Sequence, residues 1–263
     1  MKILFISLGC DKNLADSEEM LGLLTGNGHE IVDSEEEADA IVINTCCFIH
    51  DAKEESVNTI LEMAEYKKTG TCKILIVTGC MAQRYKEEIT EEIPEVDAVL
   101  GTTSYGDIVK ALNEAEAGHV FREFKDINAL PEDSGRRVIT TGGHFGYLKI
   151  AEGCDKHCTY CIIPSLRGKF RSVPEERLLK QAEYMASQGV RELILVAQET
   201  TVYGTDLYGK KTLHILLKKL CQIKGIRWIR VLYCYPEEIY DELIQVMKEE
   251  KKICHYLDLP IQH

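Results

Sequence analysis

The chain has 263 residues, of which 45% are hydrophobic and 28% are charged. This is ordinary globular usage, and it excludes a disordered, collagen-like or low-complexity protein. A chain of this length is long enough to form two domains, each with its own core. No stretch approaches the ~20 consecutive apolar residues that cross a bilayer, so we expect a cytoplasmic protein without a membrane partner.

The net charge of −12 is unevenly distributed. Residues 1–130 contain 11 Lys and Arg against 26 Asp and Glu, a net charge of −15, whereas residues 131–263 contain 20 against 17, a net charge of +3. An acidic surface repels a phosphate backbone and attracts a basic partner. We therefore expect no direct nucleic-acid binding by this chain, although a solvated acidic surface is the simpler interpretation of the charge.

Eleven cysteines are an unusual number for a cytoplasmic chain. The protein is too large to need a disulfide scaffold and the count is odd, so metal binding or thiol chemistry is favoured.

The first 120 residues alternate short β-branched runs with helical patterns, which is typical of a parallel α/β sheet. We predict a doubly wound, flavodoxin-like domain over residues 1–120 with strand order 2-1-3-4-5. Its predicted strands are residues 3–8, 29–33, 40–44, 73–78 and 97–100, and its clearest helices span about 13–27 and 51–66.

Residues 121–143 are predicted to be a linker, because they contain Pro131, Ser134–Arg137 (Ser-Gly-Arg-Arg) and the pair Gly142–Gly143. The β/α alternation then restarts, which predicts a partial (β/α) barrel over residues 144–263. Its predicted strands are residues 145–150, 193–197, 228–232 and 256–259, and its predicted helices are 175–188, 213–221 and 237–248.

The sharpest local pattern is C-x3-C-x2-C, formed by Cys154, Cys158 and Cys161 in a loop after a predicted strand. We call these three the loop cysteines. Three thiolates so close in sequence can converge on one metal centre, and a four-iron cluster with three thiolate ligands leaves one iron open to a non-protein ligand. A zinc site with His157 as fourth ligand and three reduced structural thiols are the alternatives.

A second set, the strand-end cysteines Cys10, Cys46 and Cys80, each follow a predicted strand. In the predicted order these strands are neighbours, and ligands bind beyond their carboxyl ends. The placement predicts a second three-thiol site, with buried core cysteines as the alternative. Cys47 is expected to point elsewhere. Four cysteines lack partners at ligand spacing and are predicted to be small core or surface residues: Cys72, Cys221, Cys234 and Cys254.

Together these motifs resemble the methylthiotransferases, a family of radical S-adenosylmethionine enzymes. The C-x3-C-x2-C loop and the aromatic Tyr160 before its last cysteine match radical S-adenosylmethionine enzymes in general, and the predicted barrel is their catalytic domain. The stretches Ser7–Cys10, Asn44–Cys46 and Thr78–Cys80 match the methylthiotransferases in particular. The resemblance covers essentially the whole chain. Cys47 departs from it, because the family usually has Gly at this position.

Within the family, Ser7–Glu18 and Leu193–Gly204 are similar to the RimO-type branch. That branch methylthiolates the β-carbon of an aspartate in a small-subunit ribosomal protein. The tRNA-modifying branch typically has Gly-Gln-Asn where this chain has Ala197–Glu199. A tRNA adenosine methylthiotransferase is the alternative, although an acidic first half suits phosphate poorly. A non-catalytic iron–sulfur electron-transfer or scaffold protein is an alternative of another class.

The resemblance implies two 4Fe-4S clusters and S-adenosyl-L-methionine as cofactors. The loop cysteines would hold the cluster that binds S-adenosylmethionine and cleaves it to a radical, which takes hydrogen from the target aspartate. The strand-end cysteines would hold an auxiliary cluster that delivers sulfur. The implied partners are a basic ribosomal protein and an electron donor such as flavodoxin or ferredoxin.

Several further residues are candidates for cofactor contacts. Gln198 ends a predicted barrel strand, where many radical S-adenosylmethionine enzymes bind the cofactor's amino group; a capping or core-edge role is the alternative. Tyr160 is a second candidate for cofactor binding. Arg167 can meet a carboxylate through its guanidinium fork, or it lies on the surface. His263 follows the last predicted strand, four residues beyond its end.

Members of the family continue with the remaining barrel strands and a C-terminal TRAM domain that contacts substrate. We therefore expect the chain to be a fragment or a shortened product without the TRAM domain, and not to be fully active by itself.

Overall fold

The computed structural model describes residues 1–132 and 134–260. The chain forms two compact units. The first comprises Met1–Val138 and Thr159–Arg167, and the second comprises Ile139–Cys158 and the described residues from Gly168 onward.

The first unit is a six-stranded parallel sheet with helices on both faces. Its strands are β1 Lys2–Ser7, β2 Glu30–Val32, β3 Ala40–Thr45, β4 Ile74–Gly79, β5 Ala98–Leu100 and β6 Phe121–Glu123. Its helices are α1 Asp11–Gly26, α2 His50–Thr69, α3 Cys80–Arg84, α4 Lys86–Glu92, α5 Ile108–Glu116 and α6 Ile163–Arg167, with 3-10 turns at Glu35–Glu37 and Tyr105–Asp107.

The strand order is β2-β1-β3-β4-β5-β6, so the predicted doubly wound order is confirmed and extended by one strand. β6 lies in the segment that the sequence predicts to be a linker. Its backbone pairs with β5, and Phe121 N–H donates to the carbonyl oxygen of Asp97 at 2.9 Å. Three residues with one apolar side chain give no periodic pattern, so the strand is defined by backbone pairing alone.

Alternate residues of the buried strands supply two separate cores, as side chains on a strand point to opposite faces. Ile41 and Ile43 of β3 pack on one face with residues from α2, α3 and α4. Ala40 and Val42 pack on the other face with residues from α1 and α5. The helices thus cover both faces of β3 and β4, whose residues are all buried.

The second unit contains a four-stranded parallel sheet in the order β12-β11-β10-β7, formed by β7 Phe145–Lys149, β10 Glu192–Val196, β11 Trp228–Val231 and β12 Ile253–Leu257. A short antiparallel pair joins β8 Ala151–Glu152 to β9 Arg171–Ser172. The helices are α7 Glu175–Ser187, α8 Thr205–Tyr208, α9 Leu213–Cys221 and α10 Asp241–Glu249, with a 3-10 turn at Pro236–Glu238.

Repeated β/α units with a parallel sheet agree with the predicted partial barrel. Two predicted elements differ from those observed. β12 lies three residues earlier than expected, because buried Ile253 pairs with Ile229 of β11. The helix predicted over residues 237–248 is divided into a 3-10 turn and α10, which begins at Asp241. Among the described residues, no helix combines the length and apolar character needed to cross a bilayer.

Candidate functional site

The strand-end cysteines lie beyond one edge of the first unit's sheet. Ser7, Asn44 and Thr78 are paired side by side on β1, β3 and β4. Each strand-end cysteine follows its strand residue by two or three positions. The structure therefore places the three cysteines that the sequence singles out at adjacent strand ends, where α/β sheets bind ligands.

Glycines allow the strand ends to approach each other. Gly9 has φ +91°, and a Cβ placed on it would lie 2.6 Å from Cβ and 3.0 Å from Sγ of Cys46. Gly79 has φ +94°, and its Cβ would lie 2.3 Å from Oδ1 of Asn44. A side chain at either position would displace the neighbouring strand end, so each of these two turns requires glycine.

Burial and charge determine the state of these thiols. Cys46 and Cys80 are each only 6% exposed, whereas Cys10 is partly exposed. Burial raises the pKa of Cys46, and it raises the pKa of Cys80 from 9.0 to about 12, while the charge of Arg167 opposes both shifts. Without metal, buried Cys80 is therefore a neutral thiol near pH 7, and the positive charge of a metal would favour the thiolate.

Hydrogen bonds from α1 fix the strand ends. The side-chain nitrogen Nδ2 of Asn13 donates to the backbone carbonyl oxygens of Leu8 at 3.1 Å and Thr45 at 3.0 Å. The side-chain nitrogen Nδ2 of Asn44 donates to the backbone carbonyl oxygen of Asn13 at 2.9 Å and to Oγ of Ser17 at 2.9 Å. These side chains are buried, so their hydrogen bonds fix the backbone on both sides of Cys10 and immediately before Cys46.

Arg167 at the end of α6 is a further buried side chain near the strand-end cysteines. Its Nη1 donates to Oδ2 of Asp16 at 2.8 Å, and its Nη2 donates to Oδ1 of Asn13 at 2.6 Å. Nη2 also lies 3.7 Å from Sγ of Cys80. Arg167 thus meets a carboxylate of the chain itself, and the alternative of a surface arginine is wrong, since the residue is 2% exposed. A contact between Arg167 and a cofactor stays a prediction.

The cysteines outside the two sets have other surroundings. Cys47 is 2% exposed and belongs to the same hydrophobic core as Ile60 and Met63 of α2. Cys72, Cys221 and Cys234 are also buried, while Cys254 is partly exposed.

The loop cysteines follow β8. Cys154 N–H donates to the carbonyl oxygen of Gly168 at 3.1 Å, and Lys156 N–H donates to Sγ of Cys154 at 3.4 Å. All three loop thiols are partly exposed. The two units divide between Cys158 and Thr159, within the motif. Convergence of the loop cysteines on one centre therefore stays a prediction.

The two predicted cofactor contacts differ in their surroundings. Tyr160 is 70% exposed. Gln198 lies two residues beyond β10, and its Oε1 is buried without a hydrogen-bond partner among the described residues. A buried amide oxygen left unpaired costs free energy. Gln198 therefore has an acceptor available for a ligand's N–H group, which fits the amino group of S-adenosylmethionine.

Acidic and basic groups beside Gln198 were not predicted from the sequence. Buried Glu199 accepts hydrogen bonds at Oε1 from the hydroxyl and the N–H of Thr201, the latter at 3.0 Å, and from Tyr235 N–H at 3.4 Å. Burial raises the pKa of Glu199. Lys156, between two loop cysteines, lies 4.3 Å from the ring centre of Tyr235 and forms an ion pair with Glu238. The sequence offered one signal for each group: Glu199 is adjacent to Gln198, and Lys156 lies between two loop cysteines.

Residues 1–132 and 134–260 contain no group of three His, Cys, Asp or Glu side chains spaced for a single metal ion. A four-iron cluster lies between its thiolate ligands and needs them further apart than one ion would. Its preferred ligands are cysteine thiolates, and the strand-end set supplies three of these at one sheet edge. The donor chemistry there thus fits an iron–sulfur cluster.

Two family models match the chain. Residues 2–101 match the Uncharacterized protein family UPF0004, and residues 148–263 match the Radical SAM superfamily. These regions correspond to the sheet with the strand-end cysteines and to the region with Cys154 and the following β/α repeats.

Curated relatives match over the entire chain. It is 67% identical over 263 residues to "Ribosomal protein uS12 methylthiotransferase RimO" of Lachnoclostridium phytofermentans. It is 52% identical over 263 residues to the protein of the same name in Clostridioides difficile strain 630. The chain spans 60% and 59% of the length of these two relatives.

Solved structures show the same fold at low identity. The radical S-adenosylmethionine methyltransferase TsrM from Kitasatospora setae, with cobalamin and a [4Fe-4S] cluster bound, superposes with a TM-score of 0.65 at 11% identity, covering 100% of this chain and 59% of that one. The cobalamin-dependent enzyme OxsB gives a TM-score of 0.61 at 14% identity, covering 99% of this chain and 44% of that one.

The chain therefore combines an α/β sheet unit that matches UPF0004 with a following β/α region that matches the Radical SAM superfamily. Over its whole length the chain is similar to relatives named as RimO-type methylthiotransferases, in agreement with the resemblance of its motifs.

Proposed function

We propose that the chain contains the cofactor-binding part of a methylthiotransferase that modifies the β-carbon of an aspartate in ribosomal protein uS12. The observation that supports this most strongly is 67% identity over all 263 residues to a relative named for this activity. The placement of the strand-end cysteines at adjacent strand ends is independent support. The chain spans 60% of that relative, so the complete activity is proposed for the longer protein.

The proposed domain division follows the two family matches. Residues 1–120 would bind the auxiliary 4Fe-4S cluster through Cys10, Cys46 and Cys80. Residues 144–263 would bind the second 4Fe-4S cluster through the loop cysteines, together with S-adenosylmethionine. The matches over residues 2–101 and 148–263 support this division. When bound, these groups would supply one-electron and radical chemistry, which no protein side chain provides alone.

The chain's own residues would bind and orient these groups. Gln198 Oε1, which is buried and lacks a partner among the described residues, would accept a hydrogen bond from the amino group of S-adenosylmethionine. Tyr160 would contact the same cofactor. The hydrogen bonds of Asn13 and Asn44 would keep two strand ends at a fixed separation, so that the strand-end thiolates meet the auxiliary cluster in a preorganised arrangement.

The proposed partners follow from charge and chemistry. The net charge of −15 over residues 1–130 is complementary to a basic ribosomal protein. Radical chemistry with S-adenosylmethionine requires a reductant, for which we propose flavodoxin or ferredoxin. A ribosomal substrate places the enzyme in the cytoplasm. The relatives do not favour the tRNA-modifying or the non-catalytic alternative.

The proposal is tested by mass spectrometry of uS12 and of tRNA nucleosides from source cells with and without the gene. Loss of the methylthio group from the uS12 aspartate alone is expected. Loss from tRNA alone would contradict the substrate. A second assay measures reductive cleavage of S-adenosylmethionine by the reconstituted chain, which a non-catalytic scaffold would not perform.

A further inference from the structure

The guanidinium group of Arg167 contacts the strand-end site from within the first unit. It is 2% exposed, and its Nη2 lies 2.6 Å from Oδ1 of Asn13 and 3.7 Å from Sγ of Cys80. Arginine stays protonated in proteins, and its five N–H donors have a fixed planar geometry. The contact therefore places a permanent positive charge and a directed donor beside one predicted cluster ligand.

Asn13 links the same guanidinium to the other two strand ends. Both donor bonds of its amide nitrogen go to carbonyl oxygens, one at Leu8 before Cys10 and one at Thr45 before Cys46. Its Oδ1 is therefore the atom that accepts from Arg167. Arg167 thus contacts Cys80 directly and supports the turns at Cys10 and Cys46 through one side chain.

Asp16 offsets part of the arginine charge. Its Oδ2 accepts from Nη1 of Arg167 at 2.8 Å, and both side chains are almost fully buried. Removing one member of a buried ion pair leaves an unpaired charge. Asp16 therefore holds the guanidinium in place, and it also weakens the field of Arg167 at the cysteines.

We propose that Arg167 is a positioning residue for the auxiliary cluster. The positive charge of Arg167 and its hydrogen bond toward Cys80 favour the reduced form of that cluster. This inference rests on the proposed function, in which the strand-end cysteines bind a cluster. Reduction adds one negative charge, which a nearby cation stabilises, and hydrogen bonds to ligand sulfurs also tune cluster potentials. Arg167 should therefore raise the reduction potential of this cluster.

The experiment isolates one site in the 263-residue chain. Cys154, Cys158 and Cys161 are replaced by Ala in every sample, which is then reconstituted anaerobically with iron and sulfide. Iron content is measured, and the midpoint potential is determined by a redox titration followed by electron paramagnetic resonance. Arg167→Met should lower the potential by about 59 mV, which is a tenfold change in the one-electron equilibrium. Arg167→Lys, which keeps the charge, should restore most of the difference.

Arg137→Met is the matched control. Arg137 is 6% exposed and pairs with Glu18 on the same helix as Asp16, at 2.6 Å. This variant removes a buried arginine and should destabilise the fold, but it should leave the potential unchanged. If the iron-loaded Arg167→Met and Arg137→Met variants have equal midpoint potentials, the inference is overturned and the role of Arg167 is structural alone.

Asp16→Asn gives a test of opposite sign. Removing the carboxylate charge should raise the potential, because the field of Arg167 is then less offset. If Arg167→Met does not load iron, an unchanged potential in Asp16→Asn overturns the inference. Failure of the parent chain with intact strand-end cysteines to load iron would contradict the proposed function itself, and the inference with it.

Discussion

Ser56 holds the backbone of Cys46 through two hydrogen bonds. Its Oγ accepts from Cys46 N–H at 3.0 Å and donates to Cys46 carbonyl oxygen at 2.8 Å. Both residues are buried, Ser56 completely. β3 ends just before Cys46, so strand pairing no longer satisfies the N–H and C=O groups of this predicted cluster ligand. The Ser56 hydroxyl on α2 bonds to both groups instead.

Ser56→Ala should destabilise the metal-free chain by about 1–3 kcal/mol, because it leaves a buried N–H and a buried C=O without this partner. It should also reduce iron binding at the strand-end site. Urea denaturation and iron analysis measure the two effects. Thr59→Ala is the control, since Thr59 Oγ1 donates to the carbonyl oxygen of Glu55 within the same helix. Equal effects of the two substitutions would contradict the assigned role of Ser56.

Gly9→Ala should destabilise the fold more than Gly28→Ala. Both glycines have positive φ, +91° and +85°, so both substitutions incur the left-handed penalty of about 1–2 kcal/mol. The new Cβ at position 9 would collide with Cys46, whereas no described residue other than the chain neighbours lies within 4 Å of one at position 28. Denaturation midpoints compare the variants, and iron content should fall only for Gly9→Ala. Equal losses of stability and iron content in the two variants would show that the close approach of residue 9 to Cys46 does not affect the free energy of unfolding.

Cys80 should resist alkylation in the folded, metal-free chain. Its pKa of about 12 lies above the ordinary 9.0 because of burial, so its thiolate fraction near pH 8 is roughly a thousandfold smaller than in the unfolded chain. Peptide mass spectrometry after iodoacetamide treatment measures the rate, with the urea-unfolded chain as control. The rate should rise with pH toward about 12, and a plateau near pH 9 would contradict the shift.

The raised pKa of Cys80 also predicts how stability depends on pH. The folded chain retains this proton more strongly than the unfolded chain, so the contribution is complete below about pH 9 and is lost as pH rises toward 12. Cys80→Ala should therefore flatten the alkaline decline of stability in urea titrations. If stability declines equally at alkaline pH in the Cys80→Ala variant, other titrating groups cause the decline.

Gln198→Ala should weaken binding of S-adenosylmethionine by about 10–100-fold, since a hydrogen bond to a charged group contributes about 1.5–3 kcal/mol. Stability should not fall, because Oε1 has no partner among the described residues. Equilibrium dialysis with the reconstituted chain measures the affinity, and Gln188→Ala, at an exposed position after α7, is the control. Loss of stability with unchanged affinity would support the core-edge interpretation of Gln198.

The sequence by itself determined the long buried strands and the positions of the cysteines. The apolar runs at residues 40–44 and 73–78 predict β3 and β4 because fully buried strands need continuous apolar side chains. The C-x3-C-x2-C spacing and the cysteines after three strands identified both candidate sites. These patterns are local, or they depend only on strand order, so they can be recognised without coordinates.

Tertiary structure alone decided what surrounds the cysteines. Arg167 meets Asp16 and Asn13 across 151 and 154 residues, and Cys46 meets Ser56 from a different element. β6 is likewise defined by pairing with β5 and not by its own composition. Polar partners of this kind give no periodic pattern, because their selection depends on burial and hydrogen-bond geometry that arise only once distant segments pack together.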